Sequence, residues 1–205
     1  MRHFIYFSAK ARTTGNFDTT KLMDAGRMDI AIHCIINAFF ISNKLRENVK
    51  VHLIFYGAPD PPKHIEMKPT DKRFSTEDTE GHWDLSKKDV AGLIKRILFK
   101  YKPGKKIEAY SGYFVEKKSL LKVIEELHES GKKIYILDKK GDDIRDVKFE
   151  ESEDQVFLLG DHEGLPQKEL KRLKEIFTPI TVGPQMYLAS QVVTIVNNEL
   201  DRRGL

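Results

Sequence analysis

The stretch Gln-Val-Phe-Leu-Leu-Gly at residues 155–160 constrains the fold more than any other part of the sequence. Its apolar residues follow one another without alternation, so a strand formed here is buried on both faces. Such strands lie in the middle of parallel sheets, which have helices on both sides. The stretch therefore predicts an α/β fold with a central parallel sheet.

The rest of the chain supplies strands and helices in an alternating order, which favours a parallel α/β sheet over a sandwich. We predict strands at 2–7, 50–56, 133–138 and 177–182, and helices at 87–101, 119–128, 166–176 and 186–200. A further helix between the first two strands has its apolar face at positions from Ile32 to Phe40. Residues 57–81 carry prolines and many charges, and we expect an excursion or a short hairpin there rather than core.

Composition limits the classes of function. The 205 residues carry a formal net charge of only +4, too little for a polycationic tail, so any nucleic-acid site must come from local segregation of charge. Cys34 is the single cysteine, which excludes an internal disulfide and a multi-cysteine zinc site. With no apolar segment typical of a signal peptide or a membrane span, we expect a cytoplasmic protein without membrane association.

Several common catalytic motifs do not occur in the sequence. It has no glycine-rich dinucleotide or phosphate-binding fingerprint, no His-Glu-x-x-His and no Gly-x-Ser-x-Gly. A metal site would have to be built from Asp161, His162 and Glu163, which are adjacent and so point in different directions. We therefore predict that no metal is bound.

Three short segments follow predicted strands, at the edge of the sheet where open α/β folds bind ligands. They are residues 137–138, 159–166 and 182–186. Gly160, Gly164 and Gly183 would let backbone groups approach a flat ligand closely. Ordinary strand-to-helix turns would explain the same pattern, and the spacing alone does not decide between the two interpretations.

Two further features bear on a polyanionic ligand. Arg27 and Asp29 precede an apolar helical run. Asp29 could simply stabilise the start of the helix through its interaction with the helix dipole. Arg27 could pair with Asp29 or bind a phosphate. Residues 87–106 hold eight lysines and arginines, Lys95 and Arg96 among them, against one acid. Solvated helix faces often carry such charges, but RNA is the simplest ligand for this imbalance.

Three motifs together resemble one family. They are Gly-Arg-Met-Asp-Ile at 26–30, Leu-Leu-Gly-Asp-His-Glu-Gly-Leu-Pro at 158–166, and Tyr-Leu-Ala-Ser-Gln-Val-Val-Thr-Ile-Val-Asn-Asn-Glu-Leu-Asp at 187–201. In this order they resemble the archaeal tRNA (pseudouridine(54)-N1)-methyltransferases of the SPOUT superfamily. The resemblance runs from Met1 to Leu205 and is most specific in the last 50 or so residues.

The resemblance implies a single SPOUT methyltransferase domain over 1–205, with a mostly parallel sheet and a C-terminal trefoil knot at about 133–205. It also implies a homodimer that binds S-adenosyl-L-methionine (SAM) and the T-loop of tRNA. The wide apolar face of the predicted final helix suits such a dimer. Members of the family often carry a cysteine in the knot region, and this chain has none there, so we expect no role for a thiol.

The resemblance also assigns residues. It places SAM against Leu137, Leu159, Gly160, Val182, Gly183, Met186 and Leu188. It assigns Arg27 to a phosphate and Asp29, as the catalytic residue, to the pseudouridine ring. We expect further RNA contacts from Lys95 and Arg96, and from Lys63, Lys68, Lys72 and Arg73.

The function that the resemblance implies is SAM-dependent N1-methylation of the T-loop pseudouridine at position 54 of tRNA. Two alternatives remain open at this point. One is N1-methylation of a ribosomal RNA pseudouridine during ribosome biogenesis, and the other is a non-catalytic RNA-binding factor with the same fold.

Overall fold

The computed structural model describes residues 1–42, 44–69 and 86–205. Its strands are β1 (Arg2–Ser8), β2 (Phe40–Ile41), β3 (Lys44–Leu45), β4 (Val49–Phe55), β5 (Lys63–Met67), β6 (Ile107–Tyr110), β7 (Tyr113–Glu116), β8 (Lys133–Asp143), β9 (Gln155–Gly160) and β10 (Thr178–Thr181). Its helices are α1 (Met28–Phe39), α2 (Lys87–Phe99), α3 (Leu120–Glu129), α4 (Gln167–Ile176) and α5 (Ala189–Arg202).

Eight of these strands form one mixed sheet in the order β10-β8-β9-β1-β4-β5-β7-β6. The five strands from β10 to β4 run parallel to one another, whereas β5, β7 and β6 continue the sheet in antiparallel fashion. The prediction of a mostly parallel α/β sheet is confirmed. Because parallel strands end on the same side, the loops after β1, β8, β9 and β10 meet along one edge.

The residues of β9 show why this strand lies inside the sheet. Phe157 and Leu159 pack into the core on one face, whereas Val156 and Leu158 pack into the core on the other. Helices cover both faces, with α1, α2 and α5 on the first and α3 and α4 on the second. The doubly buried strand predicted from the sequence is therefore confirmed.

The antiparallel half of the sheet differs from the sequence-based expectation. No core element is predicted between 57 and 81, yet β5 lies inside the sheet with Ile65 and Met67 buried. Its polar residues hide the strand in the sequence, because Lys63 and His64 are also buried and gain internal partners there. The strands β6 and β7, which are not predicted from the sequence, complete this edge of the sheet. Lys72 and Arg73 lie outside the described residues.

Two boundaries near the carboxyl end also differ. The final helix begins at Ala189 rather than at 186, because Gln191 Oε1 accepts a hydrogen bond from the Leu188 N–H and caps the first turn. The strand β8 continues to Asp143, five residues past its predicted end. In the described part of the chain, no helix combines the length and the apolar character that a bilayer crossing requires.

Candidate functional site

An irregular crossing of β8 and β10 forms a groove at the shared edge of the sheet. Pro179 lies opposite Ile136, but the next residue of β10, Ile180, lies opposite Asp142. The residues of β8 between these pairs, 137–141, therefore have no partner on β10 and bulge out of the ladder. Gly141 permits the crossing, because a Cβ atom there would lie 2.4 Å from the Ile180 nitrogen.

The groove between these segments is open to solvent. Three of the predicted cofactor residues line it together, namely Leu137, Val182 and Met186. The other lining residues are Asp138, Lys139, Ile180, Thr181, Gln185, Tyr187 and Val192. The wall is thus mainly apolar with a few polar groups, which is the usual composition of a small-molecule site.

The remaining predicted cofactor residues lie around the groove rather than in its lining. Leu159 is buried in the core, and Gly160 packs closely against Gly164 in the turn that follows β9. Gly183 has a φ of 150° and lies against the Tyr187 ring, and its N–H and C=O both bond to the Thr181 hydroxyl. Leu188, the residue before α5, is 68% exposed.

Asp138 contributes a negative charge to the groove. Burial raises the pKa of this carboxyl group, but hydrogen bonds from Lys174 and from the Lys140 N–H lower it overall. Asp138 is therefore ionised at neutral pH. Its charge is balanced by the ion pair with Lys174, so the apolar walls are the main feature of the groove, and they suit a flat aromatic ring.

The second group of predicted residues lies at the start of α1, where the backbone is left-handed at Gly26 and Arg27. The Arg27 guanidinium donates to both oxygens of Asp29, from Nε to Oδ1 and from Nη2 to Oδ2, each at 3.0 Å. This bidentate pair lowers the pKa of Asp29, so the carboxylate is ionised. Both side chains remain partly exposed, at 36% for Arg27 and 21% for Asp29.

The basic segment at 87–106 divides into engaged and exposed cations. The Lys95 amine donates to the Phe17 carbonyl at 2.8 Å, and Lys100 and Lys106 bind Ala109 and Glu66. Arg96 is exposed on α2. Of the two predicted RNA contacts on this helix, Lys95 thus holds the loop after β1, whereas Arg96 faces solvent.

Asp138 and Gln185 lie in segments that the sequence predicts to bind a ligand, whereas Tyr187 and Gly141 are not predicted as site residues. The bulge of β8 contains Asp138, and no pattern in the sequence marks a bulge of five residues. Across residues 1–42, 44–69 and 86–205, no group of three or more His, Cys, Asp and Glu side chains could hold a metal ion.

Comparison with known proteins assigns the family. A family model described as "Putative SAM-dependent RNA methyltransferase" matches residues 1–205. A tRNA (pseudouridine(54)-N(1))-methyltransferase of Methanococcoides burtonii is 33% identical over 204 residues, which cover 98% of this chain and 96% of that protein. A Pyrococcus abyssi protein of the same name is 32% identical over 208 residues and is matched over the full length of both chains.

Among solved structures, the crystal structure of Archaeoglobus fulgidus Nep1 bound to S-adenosylhomocysteine superposes with a TM-score of 0.61. The alignment covers 100% of this chain and 99% of that one at 16% identity, so it bears on the fold alone. The family match, in contrast, extends over every residue of the chain. The chain therefore belongs to this family of SAM-dependent RNA methyltransferases.

Proposed function

We propose that this protein transfers a methyl group from SAM to N1 of pseudouridine 54 in the T-loop of tRNA. The observation that carries the proposal is the similarity, over nearly the whole chain, to several relatives that bear the name of this activity. Two structural features support it. They are the mainly apolar groove and the Arg27–Asp29 pair at the start of α1.

For the cofactor, we propose contacts with the turns after β8, β9 and β10. The groove residues would enclose the adenine ring between apolar side chains, and the free backbone groups of the turns would meet its edge nitrogens. The residues proposed to bind SAM are Leu137, Leu159, Gly160, Val182, Gly183, Met186 and Leu188. When bound, SAM supplies an activated methyl group on a sulfonium centre.

For the acceptor, we propose that Asp29 accepts a hydrogen bond from the N1–H of the pseudouridine ring. The carboxyl group is already ionised in the pair with Arg27 and is too weak a base to remove the proton before transfer. Its contribution is to orient N1 toward the methyl donor and to stabilise positive charge on the ring as the N1–C bond forms and the C–S bond breaks. S-adenosylhomocysteine is the leaving group, and the N1 proton is lost during or after transfer. Well-oriented reactants can lower a barrier by roughly 7–11 kcal/mol.

Arg27 can serve RNA and Asp29 together. The pair with Asp29 uses one N–H of Nε and one of Nη2, and the guanidinium retains its other donors. These donors would bind a backbone phosphate next to the target pseudouridine. Lys95 and Arg96 lie on the helix that we propose to run beside the RNA; Arg96 would contact it directly, whereas Lys95 would act mainly through the loop that it holds.

We further propose that the chain is one SPOUT domain over 1–205, with a trefoil knot at about 133–205, and that it acts as a cytoplasmic homodimer. Two contacts support threading near the end of β8: Ile144 N–H donates to Thr181 O at 2.8 Å, and Arg203 donates to the carbonyls of Ile144 and Val147. Met186 and Leu188, 78% and 68% exposed, support a covering partner. Sedimentation at micromolar concentration should give a dimer mass.

The activity is tested by incubating the protein with methyl-labelled SAM and a T-loop RNA that carries either uridine or pseudouridine at position 54. The proposal predicts label in the pseudouridine RNA alone, recovered as N1-methylpseudouridine. Transfer to a ribosomal RNA hairpin with a pseudouridine, but not to the T-loop, would favour the ribosomal alternative. Absence of SAM binding in calorimetry would favour a non-catalytic RNA-binding factor.

A further inference from the structure

The carboxylate of Asp161 connects the two halves of the proposed active site. This residue follows β9 in the turn after Gly160, and its side chain is fully buried. Its Oδ2 accepts from the Ser8 hydroxyl at 2.8 Å and from the Ala9 N–H at 3.2 Å, while Oδ1 accepts from the Glu163 N–H at 2.8 Å. One side chain thus holds both the turn after β9 and the turn after β1.

Ser8 extends the connection along the turn after β1. Its Oγ donates to Asp161 and accepts from the Ala11 N–H at 3.1 Å and the Lys10 N–H at 3.4 Å. The hydroxyl has one proton, which it donates in the hydrogen bond to Asp161, so the lone pairs of Oγ point at the backbone of the turn. Asp161 therefore orients residues 8–11 through Ser8.

The turn after β1 in turn supports the start of α1. The Lys10 carbonyl lies only 1.7 Å from where a Cβ atom on Gly26 would be, which makes a glycine necessary there. The Arg12 N–H donates to the Ala25 carbonyl at 3.1 Å. The left-handed pair Gly26 and Arg27, which begins the proposed acceptor site, thus rests directly on this turn.

We infer that Asp161 is a positioning residue that fixes the cofactor turn after β9 relative to the Arg27–Asp29 pair. The inference rests on the proposed function, because it concerns the alignment of methyl donor and acceptor. Every acceptor oxygen of Asp161 is occupied by the protein itself, and the buried side chain cannot reach solvent or RNA. Its effect on methyl transfer must therefore pass through the two turns that it holds.

The size of the expected effect follows from the demands of the reaction. Methyl transfer needs the acceptor nitrogen in line with the bond that breaks, and a shift of about 1 Å can lower a rate by roughly 100-fold. Binding of SAM alone uses the groove of β8 and β10 and the turn after β9, and does not need the turn after β1. Asp161→Asn keeps an oxygen that accepts from the Glu163 N–H within the turn after β9, and Ser8→Ala leaves that hydrogen bond untouched. Loosening the connection should therefore lower kcat far more than the affinity for SAM.

The test uses Asp161→Asn and Ser8→Ala, with Glu163→Gln as the matched control. Asp161→Asn keeps the shape of the side chain but replaces one carboxylate oxygen by an NH₂ group. This donor then faces the N–H or O–H groups that bonded to the oxygen in the wild type. Glu163 forms an exposed ion pair with Lys10 across the same two turns, and such pairs contribute little. We expect a kcat for T-loop methylation that is roughly 10- to 100-fold lower in Asp161→Asn and Ser8→Ala. The control should keep the wild-type kcat.

Two further measurements separate positioning from a loss of structure. Calorimetry should give a SAM Kd within about twofold of the wild-type value in each variant, since the groove is intact. The double variant should be no slower than Asp161→Asn alone, because both changes break one connection. Ser8→Ala removes only a hydroxyl and keeps the inference testable if Asp161→Asn does not fold.

The outcomes are distinct. Wild-type kcat in a folded Asp161→Asn or Ser8→Ala variant would overturn the inference and leave the proposed function standing. A loss of SAM affinity that parallels the loss of kcat would also overturn it, because the residue would then act on the cofactor site alone. A wild-type protein that binds SAM but does not methylate T-loop RNA would contradict the proposed function, and the inference would fall with it.

Discussion

At the scale of single residues, the structure changes how Arg27 and Asp29 should be understood. Read from the sequence, each could have been an isolated capping or phosphate-binding residue. In the structure they form one bidentate unit on a left-handed turn, which depresses the pKa of Asp29 and leaves donors of Arg27 facing outward. The pair can therefore act on the base and on the backbone of an RNA at the same time.

The first prediction concerns Asp29. Asp29→Asn keeps a carbonyl oxygen as acceptor but removes the charge, whereas Asp29→Ala removes both. We expect Asp29→Ala to abolish methyl transfer and Asp29→Asn to lower kcat by roughly 100-fold, with SAM affinity unchanged in both. Asp24→Ala, which removes an exposed acid in the loop before α1, should keep wild-type turnover. Wild-type turnover in Asp29→Ala would remove this residue from the mechanism.

The second prediction concerns Arg27. Arg27→Ala removes one phosphate contact, so tRNA binding should weaken most at low salt, and the slope of log affinity against log salt should fall by about one. Filter binding between low and high salt measures both quantities. Lys148→Ala, which removes an exposed lysine remote from α1 in the sequence, is the control and should keep the wild-type slope. An unchanged slope in Arg27→Ala would show that no phosphate is bound there.

At the scale of secondary-structure elements, the crossing of β8 and β10 is the feature on which the groove depends. At the bulge of residues 137–141, β10 passes so close to β8 that it occupies the space of a side chain on Gly141. A residue with a Cβ atom there must push the two strands apart and so change the shape of the groove. Gly141 is thus as important for the site as the residues that line it.

The third prediction follows from this contact. Gly141→Ala should destabilise the protein by about 1–3 kcal/mol through overpacking and weaken SAM binding at least tenfold. Urea unfolding and calorimetry measure the two effects. Gly92→Ala is the matched control: this glycine lies inside α2, where a Cβ atom would meet only the end of the Arg96 side chain at 3.3 Å, and alanine should be tolerated. Equal SAM affinity in Gly141→Ala and the wild type would contradict the role of the crossing.

A chain of three buried histidines joins β1, β4 and β5 on the face of the sheet that also carries α3 and α4. His3 on β1 bonds to His52 on β4, and His52 bonds to His64 on β5, each through ring nitrogens 3.0 Å apart. His64 then bonds to Glu116 on β7 at 3.1 Å. Burial lowers the pKa of His3 to about 4, with Lys50 and Lys132 acting in the same direction and Asp154 opposing them. Burial likewise lowers the pKa of His52 and His64.

The fourth prediction is the pH dependence of stability. The unfolded chain takes up protons on these histidines near pH 6.5, whereas the folded chain does not, so the free energy of unfolding should fall as the pH falls from about 6.5 toward about 4. Each histidine contributes a slope of up to about 1.4 kcal/mol per pH unit. The pKa values of Glu66 and Glu116 are lowered to about 2, so these carboxyl groups change the free energy of unfolding mainly below pH 4.5. Between pH 7 and pH 5 the change in stability therefore comes mainly from the histidines.

Urea unfolding at pH 7 and pH 5 measures this dependence. His52→Gln removes one titrating group and should narrow the difference between the two pH values, whereas His162→Gln, an exposed control in the turn after β9, should not. Equal stability of the wild type at pH 7 and pH 5 would show that the buried histidines do not titrate as this account requires.

At the scale of the whole molecule, the sequence predicted the parallel half of the fold well and the antiparallel half poorly. The strands β1, β4 and β9 are almost fully buried and rich in apolar residues, which is the pattern that predicts a strand inside a sheet. The strand β5 escaped prediction because Lys63 is buried by its pair with Asp60 and by the ring of Tyr101, partners that only the folded chain brings together. Long-range pairing, rather than local propensity, decides such strands.

The candidate site shows the same division. The glycine-containing turns after β9 and β10 were visible because special backbone conformations need particular residues. The role of Asp161 was not, because its partners Ser8 and Ala9 lie about 150 positions away and meet it only through the parallel pairing of β1 and β9. Residues that act by connecting elements are thus the part of a site that a single sequence conceals.

We expect the groove at the ends of β8 and β10 to hold the methyl donor, and a crystal structure of the protein with S-adenosylhomocysteine would show where the ligand binds. The adenine ring should lie between Leu137, Val182 and Met186, with the sulfur atom directed toward the Arg27–Asp29 pair. Density for the ligand elsewhere on the protein, or a groove closed by its own side chains in the presence of saturating ligand, would contradict it.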